Sequence, residues 1–228
     1  MLAGVLAGAQ QARATVTESD FLDDLPVVLS ASRLSQPVNE APAAVTVIDR
    51  DMIRASGFRD IPDLLRLVPG FSVAYTRDNT WAVGYHGLGD AFSRRFQVLV
   101  DGRSIYSPHF GAVNWGDLPL AVEDIERIEV VRGPNAAVFG SNAFLAVINI
   151  ITQSAAQAKG GFASAQYGEQ GMSGLTARYG GGDADLHWRV TLSSQNRDRF
   201  EAVGYDGGGQ RQDLREKTRT YFLSGRTD

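Results

Sequence analysis

Three sets of residues in this chain have types that could do chemistry. The stretch RGPNAAVFGSNA at 132–143 sets two glycines and small residues between apolar runs, the outline of a loop that cradles phosphate. Such a loop needs Lys and a hydroxyl residue after its last glycine, whereas Gly140 is followed by Ser141 and Asn142. Nucleotide chemistry is set aside, and the loop reads as structural, with Gly133 and Gly140 supplying the positive φ angles of a packed reversal. The carboxylates Asp101, Asp117 and Glu123 could serve a hydrolase, but no spacing among them marks a general acid and base pair, and no catalytic residue is assigned. The three histidines, His86, His109 and His187, are too scattered for a metal cluster, so no metal and no cofactor is expected.

Composition limits the remaining classes. The chain has 228 residues, 43% hydrophobic and 21% charged, which is a folding composition. A net charge of -4 and a pI near 5.4 offer no basic footprint, so nucleic acid is not expected as a partner. The absence of cysteine removes disulfides and thiol catalysis. No run approaches the ~18 apolar residues of a membrane helix, so any membrane contact must come through strands or an anchor. The opening MLAGVLAGAQQARA resembles the end of a signal peptide, with Ala12-Arg13-Ala14 as an A-x-A cleavage site and Thr15 as the first mature residue, although no basic segment precedes Leu2.

These residues must be held by elements that the pattern divides into three regions. Residues 15–42 are rich in Ser, Asp, Pro and Ala and read as a linker with one extended apolar island, DLPVVLSASR at 24–33, or as that linker with an edge strand of the next domain. Residues 43–153 read as one α+β domain with a mixed sheet of four to five strands. Its strands are expected at AVTVI, FSVAY, WAVGYHGL, FQVLVDG and AVINIIT, and in VEDIERIEVV after a short helical turn, with Asp101-Gly102 as a hairpin turn. Its helices are RDMIRAS, capped by Asp49 and ended by Gly57, and IPDLLRLV, capped by Asp60 and stopped by Pro69. From 154 to 228 four segments alternate apolar and polar residues, most clearly where Leu186, Trp188, Val190 and Leu192 interleave with His187, Arg189, Thr191 and Ser193. That period fits an antiparallel membrane barrel and a soluble sheet equally well.

The ordered series IPDLLRLVPGFSV, VLVDGR and IERIEVVRGPNAAVFGSNAFLAVINIITQ resembles the plug domain of TonB-dependent outer-membrane receptors, over roughly residues 26–155. Two positions depart from the family pattern: His86 stands where Arg is usual, and Leu145-Ala146 replaces a small glycine pair. The resemblance implies a plug that fills a barrel in the bacterial outer membrane, with the N-terminus in the periplasm and energised uptake of a scarce ligand such as a ferric siderophore. A stand-alone plug-like binding or signalling module is the alternative. It places a TonB box at Asp24, Leu25, Pro26, Val27, Val28, Leu29 and Ser30, gripped by TonB with its ExbB/ExbD complex. It puts a metal chelate or other small molecule against plug loops carrying Tyr75, Arg77, Trp81, Tyr106, His109 and Trp115, whose aromatics could equally be core or wall contacts. His86 and Arg132 become candidates for plug-to-barrel contacts, and outer-membrane lipid is the third partner. Barrels of this kind take about 22 strands, so four strands imply a fragment of an incomplete transmembrane β-barrel.

Overall fold

A computed structural model describes residues 27–28, 36–37, 43–75, 80–90, 92–109, 111–168, 171–198, 202–205, 210–214 and 217–228. The expected signal-peptide residues 1–14, the expected box residues Asp24, Leu25, Pro26, Leu29 and Ser30, and Arg77 lie outside them. Strand β1 (Val27–Val28) pairs antiparallel with β2 (Gln36–Pro37), so the island has a short ladder within the linker itself.

The N-terminal domain is built on a five-stranded sheet in the order β3 (Ala44–Asp49), β9 (Ile125–Arg132), β10 (Ala146–Thr152), β7 (Phe96–Val100), β8 (Arg103–Ser104). Only β10 and β7 run parallel. Strand β10, AVINIIT, is apolar on both faces except at Asn149 and Thr152, as a central strand covered on both sides requires. Beside it, β4 (Phe71–Tyr75), β5 (Trp81–Tyr85) and β6 (Leu88–Asp90) form a three-stranded antiparallel sheet. The main core gathers Ile48, Leu64, Leu65, Val83, Phe96, Ile128 and Ile148 between sheets and helices, and Phe71 stacks on Phe96 with ring centroids 5.5 Å apart.

Helix α1 (Arg50–Ser56) starts where the Asp49 carboxylate accepts a hydrogen bond from Met52 N at 2.8 Å and stops at Gly57, φ 69°. The second expected helix is shorter than its pattern. Only α2 (Ile61–Leu64) is α-helical, and residues Leu65–Leu67 tighten into a 3-10 turn. Pro69 drives Val68 to ψ 124°, out of the helical region, which leaves little length between Pro62 and Pro69. WAVGYHGL also departs from expectation. His86 and Gly87, at φ 50° and 75°, make a two-residue reversal, so one expected strand is the hairpin β5–β6. Asp101 and Gly102, at φ 48° and 77°, turn β7 into β8 as expected.

The loop 132–143 closes β9 onto β10 around the short helix α3 (Ala136–Phe139). Gly133 N donates to Leu145 O and Asn135 N to Ala143 O, both at 2.9 Å, with Gly133 and Gly140 at φ 99° and 89°. Its polar groups serve its own backbone. The bulkier Leu145 and Ala146 are buried against the core.

The C-terminal strands β11 (Gly160–Tyr167), β12 (Ser173–Gly182), β13 (His187–Asp198) and β16 (Lys217–Thr227) form an antiparallel sheet in that order. The hairpin β14 (Ala202–Tyr205) and β15 (Arg211–Leu214) lies between β13 and β16 in sequence. The last two wall strands exceed the segments read from alternation because β13 and β16 stay paired as far as Asp198 and Lys217.

Candidate functional site

The wall strands are inside-out relative to a soluble sheet. Thr191 and Arg189 are 1% and 6% exposed, while their neighbours Leu192 and, across the strand pair, Leu223 are 57% and 65% exposed. The polar phase of each strand faces the N-terminal domain, and the apolar phase, with Leu175, Tyr179, Val190 and Tyr221, faces outward. Hydrophobic burial cannot drive such a sheet in water. It suits a sheet whose outer solvent is lipid. The period left open in the sequence is thereby resolved by which phase is covered.

Three inward arginines sit on neighbouring strands: Arg178 on β12, Arg189 on β13 and Arg226 on β16. Arg189 and Arg226 are direct cross-strand partners, a like-charge pair that disfavours the sheet by itself. The N-terminal domain supplies the opposite charge. Asp124, at the end of a 3-10 turn leading into β9, accepts from Arg178 Nη1 at 2.8 Å, and Arg189 Nη1 lies 3.1 Å from the same oxygen without hydrogen-bond alignment. All three side chains are buried. Arg178 also donates to Gln153 Oε1 at 2.8 Å and lies 5.0 Å above the Phe162 ring. The other Asp124 oxygen, Oδ2, is buried without a hydrogen-bond partner among the described residues, so the carboxylate is held by charge more than by geometry.

Two further contacts extend this seam. Asp101 in the β7–β8 turn accepts from Thr152 N and Oγ1, each at 2.8 Å, and Arg226 reaches Asp101 at 3.4 Å and Thr152 Oγ1 at 2.8 Å. The Glu123 carboxylate accepts from Ser164 Oγ at 2.8 Å and Gln166 Nε2 at 2.7 Å, both on β11. Two of the acids that a hydrolase reading would use therefore join the domain to the wall.

The loop candidates fall mostly on the core side of the alternative left by the sequence. Trp81 and Trp115 are buried; Trp81 packs at a 38° tilt against Tyr75 with centroids 3.9 Å apart, and Trp115 Nε1 donates to Ser93 Oγ at 3.2 Å. Burial raises the pKa of Tyr75 above the ordinary phenol range, with Asp63 adding to the shift. Tyr106 is half-buried against the core, and His109 is exposed at the turn bridged by Ser107 and Ala112. A narrow cleft of about 80 Å³ separates Trp81, Trp115 and Asp60 from Gln195, Thr220 and Phe222 of the wall. His86 N donates to Gly70 O at 2.9 Å, and the His86 ring meets the Tyr85 ring edge-on at 4.2 Å. Arg132 leaves Nε buried without a partner among the described residues. Among the described residues no group of His, Asp or Glu has the arrangement of a metal site.

The seam residues were not singled out as contacts from sequence, yet a signal existed. Arg178, Arg189 and Arg226 all fall on the polar phase of alternating strands, where an arginine needs a carboxylate from whatever fills the sheet's inner side.

Residues 37–147 match the family model of the TonB-dependent receptor plug domain. The chain is 35% identical over 140 residues to the vitamin B12 transporter BtuB of Vibrio vulnificus, covering 60% of this chain and 22% of that protein. It is 36% identical over 136 residues to an iron-regulated outer membrane virulence protein of Vibrio cholerae, covering 57% and 20%. The fold is similar to the ferric yersiniabactin uptake receptor FyuA of Yersinia pestis, with a TM-score of 0.61, 21% identity and coverage of 81% of this chain and 28% of that one. The chain thus spans between a fifth and three-tenths of the length of these proteins. These relatives are named as transporters, receptors and outer-membrane proteins, not as enzymes. A plug-like domain seated by ion pairs on inside-out strands, together with these matches, assigns the chain: it belongs to the TonB-dependent receptor family, as its plug domain followed by part of the barrel.

Proposed function

We propose that this chain is the gate and first wall of a transporter that takes up a scarce ligand across the outer membrane with energy from TonB and its ExbB/ExbD complex. The observation that carries the reading is the seam: a buried carboxylate on the plug between two buried arginines of a wall whose apolar face looks outward. Ligand binds at the outer face against the loops around Tyr75 and residues 106–115, where His109 is exposed and Tyr106 half-buried. Binding releases residues 24–30, the TonB box, into the periplasm. The box then adds as a strand to the partner's sheet edge. The existing ladder opposes this little, because Val27–Val28 pairs with only two residues and Pro37 has no N–H to donate. Tension from TonB pulls the plug off the wall, and the ligand passes unchanged.

A ferric siderophore is the first cargo, as FyuA is a ferric yersiniabactin uptake receptor. Cobalamin is the second reading, favoured by the 35% identity to a vitamin B12 transporter. The test is accumulation of ferric enterobactin and of radiolabelled cyanocobalamin by cells that lack their own receptors and express the full-length protein. One of the two should accumulate and fall to background when TonB is deleted. Accumulation indifferent to TonB would contradict energised uptake, and ligand binding without accumulation would favour a stand-alone binding module.

A further inference from the structure

Between α1 and strand β11 lies a cavity of about 260 Å³ that borders the seam at Glu123 and Ser164. Its floor is apolar, made by Ile53, Phe58, Ile125 and Phe162, and its rim carries Arg50, Arg54 and Arg59. Among the described residues, carboxylates neutralise the three guanidinium groups poorly. Arg50 donates Nη1 to Ile125 O at 3.1 Å, and its nearest carboxylate, Glu126, is 3.8 Å away. Arg54 and Asp51 are 4.0 Å apart and both exposed. Arg59 has no ion-pair partner among the described residues. Glu123, also at the cavity, is engaged by Ser164 and Gln166. Burial, and then the charge of Arg54, lower the pKa of Arg50, as expected where cations crowd one another. Such a site fits carboxylates that flank large apolar side chains.

The chain itself contains that chemistry. Between Arg13 and Arg33 there is no Lys or Arg, and the sequence ESDFLDDL at 18–25 places Glu18, Asp20, Asp23 and Asp24 around Phe21 and Leu22. This segment lies outside the described residues. Reach is no obstacle. Strand β3 carries the chain about 20 Å from Ala44 to the cavity's edge at Arg50, whereas residues 37–43 and 25–27, joined across the β1–β2 ladder, can extend to about 30 Å.

We propose that the acidic segment 18–25 docks in this arginine-rimmed cavity, its carboxylates on Arg50, Arg54 and Arg59 and its Phe or Leu side chain on the apolar floor. Docking holds the adjoining residues 26–30 close to the plug, so a partner must first displace the segment. The consequence for TonB rests on the function proposed above, but the docking does not.

These 228 residues hold no cysteine, and any cysteine elsewhere in the full-length protein is replaced by serine for the test. Ser19→Cys is paired with Ala55→Cys, on the exposed part of α1, or with the control Ser141→Cys in the loop at the far end of β9. Disulfide formation is followed in isolated outer membranes carrying the full-length protein, without TonB. Position 19 should cross-link to 55 and not to 141. Reversing Arg54 and Arg59 to Glu should slow the reaction about tenfold, the combined effect of a few exposed ion pairs, as should 1 M salt by screening. Changing Glu18, Asp20, Asp23 and Asp24 to Lys in the reversed background should restore the rate. Equal cross-linking to 55 and 141, or a rate indifferent to charge reversal, would overturn the proposal. Either failure would leave TonB-dependent uptake untouched, because the reaction is read without TonB.

Discussion

Replacing Asp124 with alanine is expected to destabilise the seated plug by about 3–5 kcal/mol, the usual result of removing one partner from a buried charge cluster. Arg178 and Arg189 would then be left buried, 8% and 6% exposed, facing each other's charge. Asp124→Asn should fare little better, since its amide cannot balance two cations. The cluster itself need not add net stability, because three ions removed from water forfeit strong hydration. A concerted change of Asp124 to Leu, Arg178 to Met and Arg189 to Leu should therefore recover most of the loss. Chemical denaturation of the full-length protein, followed by tryptophan emission, checks both expectations. Wild-type midpoints for Asp124→Ala would mean that the seam does not seat the plug.

Arginine in place of Leu192 tests the other face of the same wall. Leu192 is already 57% exposed, and it pairs with Ala177 and Leu223 near the middle of the sheet. On a water-facing sheet a charge there would change stability by about 0.5 kcal/mol or less. On a lipid-facing sheet at mid-bilayer height the cost is about 2–4 kcal/mol. Reversible denaturation of the barrel from lipid vesicles distinguishes the two cases. Leu192→Arg unfolding at the wild-type midpoint would contradict a membrane wall.

Much of the domain could be read directly from local chemistry. Asp49, Gly57 and the Asp101-Gly102 turn act through neighbours a few residues away, so their roles were visible in sequence. The loop 132–143 was legible for the same reason. What was hidden depends on distance or on the environment. The hairpin at His86-Gly87 escaped because histidine rarely adopts positive φ, and here Gly70 N-terminal to β4 lets the turn close against it. The α2 pattern looked longer because leucine spacing does not register the backbone restriction before Pro69. Alternation in 185–194 gave the two faces but not which one was covered. Asp124 was invisible for a deeper reason: its partners are 54 residues or more away in the chain, and only a wall folded around the domain brings three charges to one point.

If the plug works by leaving the wall it is seated on, one covalent bridge between the two must stop it. Glu123 and Ser164 meet across the seam at 2.8 Å, so Glu123→Cys and Ser164→Cys, with any cysteine elsewhere in the full-length protein replaced by serine, can be joined by a short bismaleimide. The bridge should form efficiently in outer membranes, leave ligand binding unchanged, and reduce uptake of whichever of ferric enterobactin or cyanocobalamin is transported to the background of a TonB-deficient cell. Uptake at the unbridged rate with the bridge fully formed would contradict the claim.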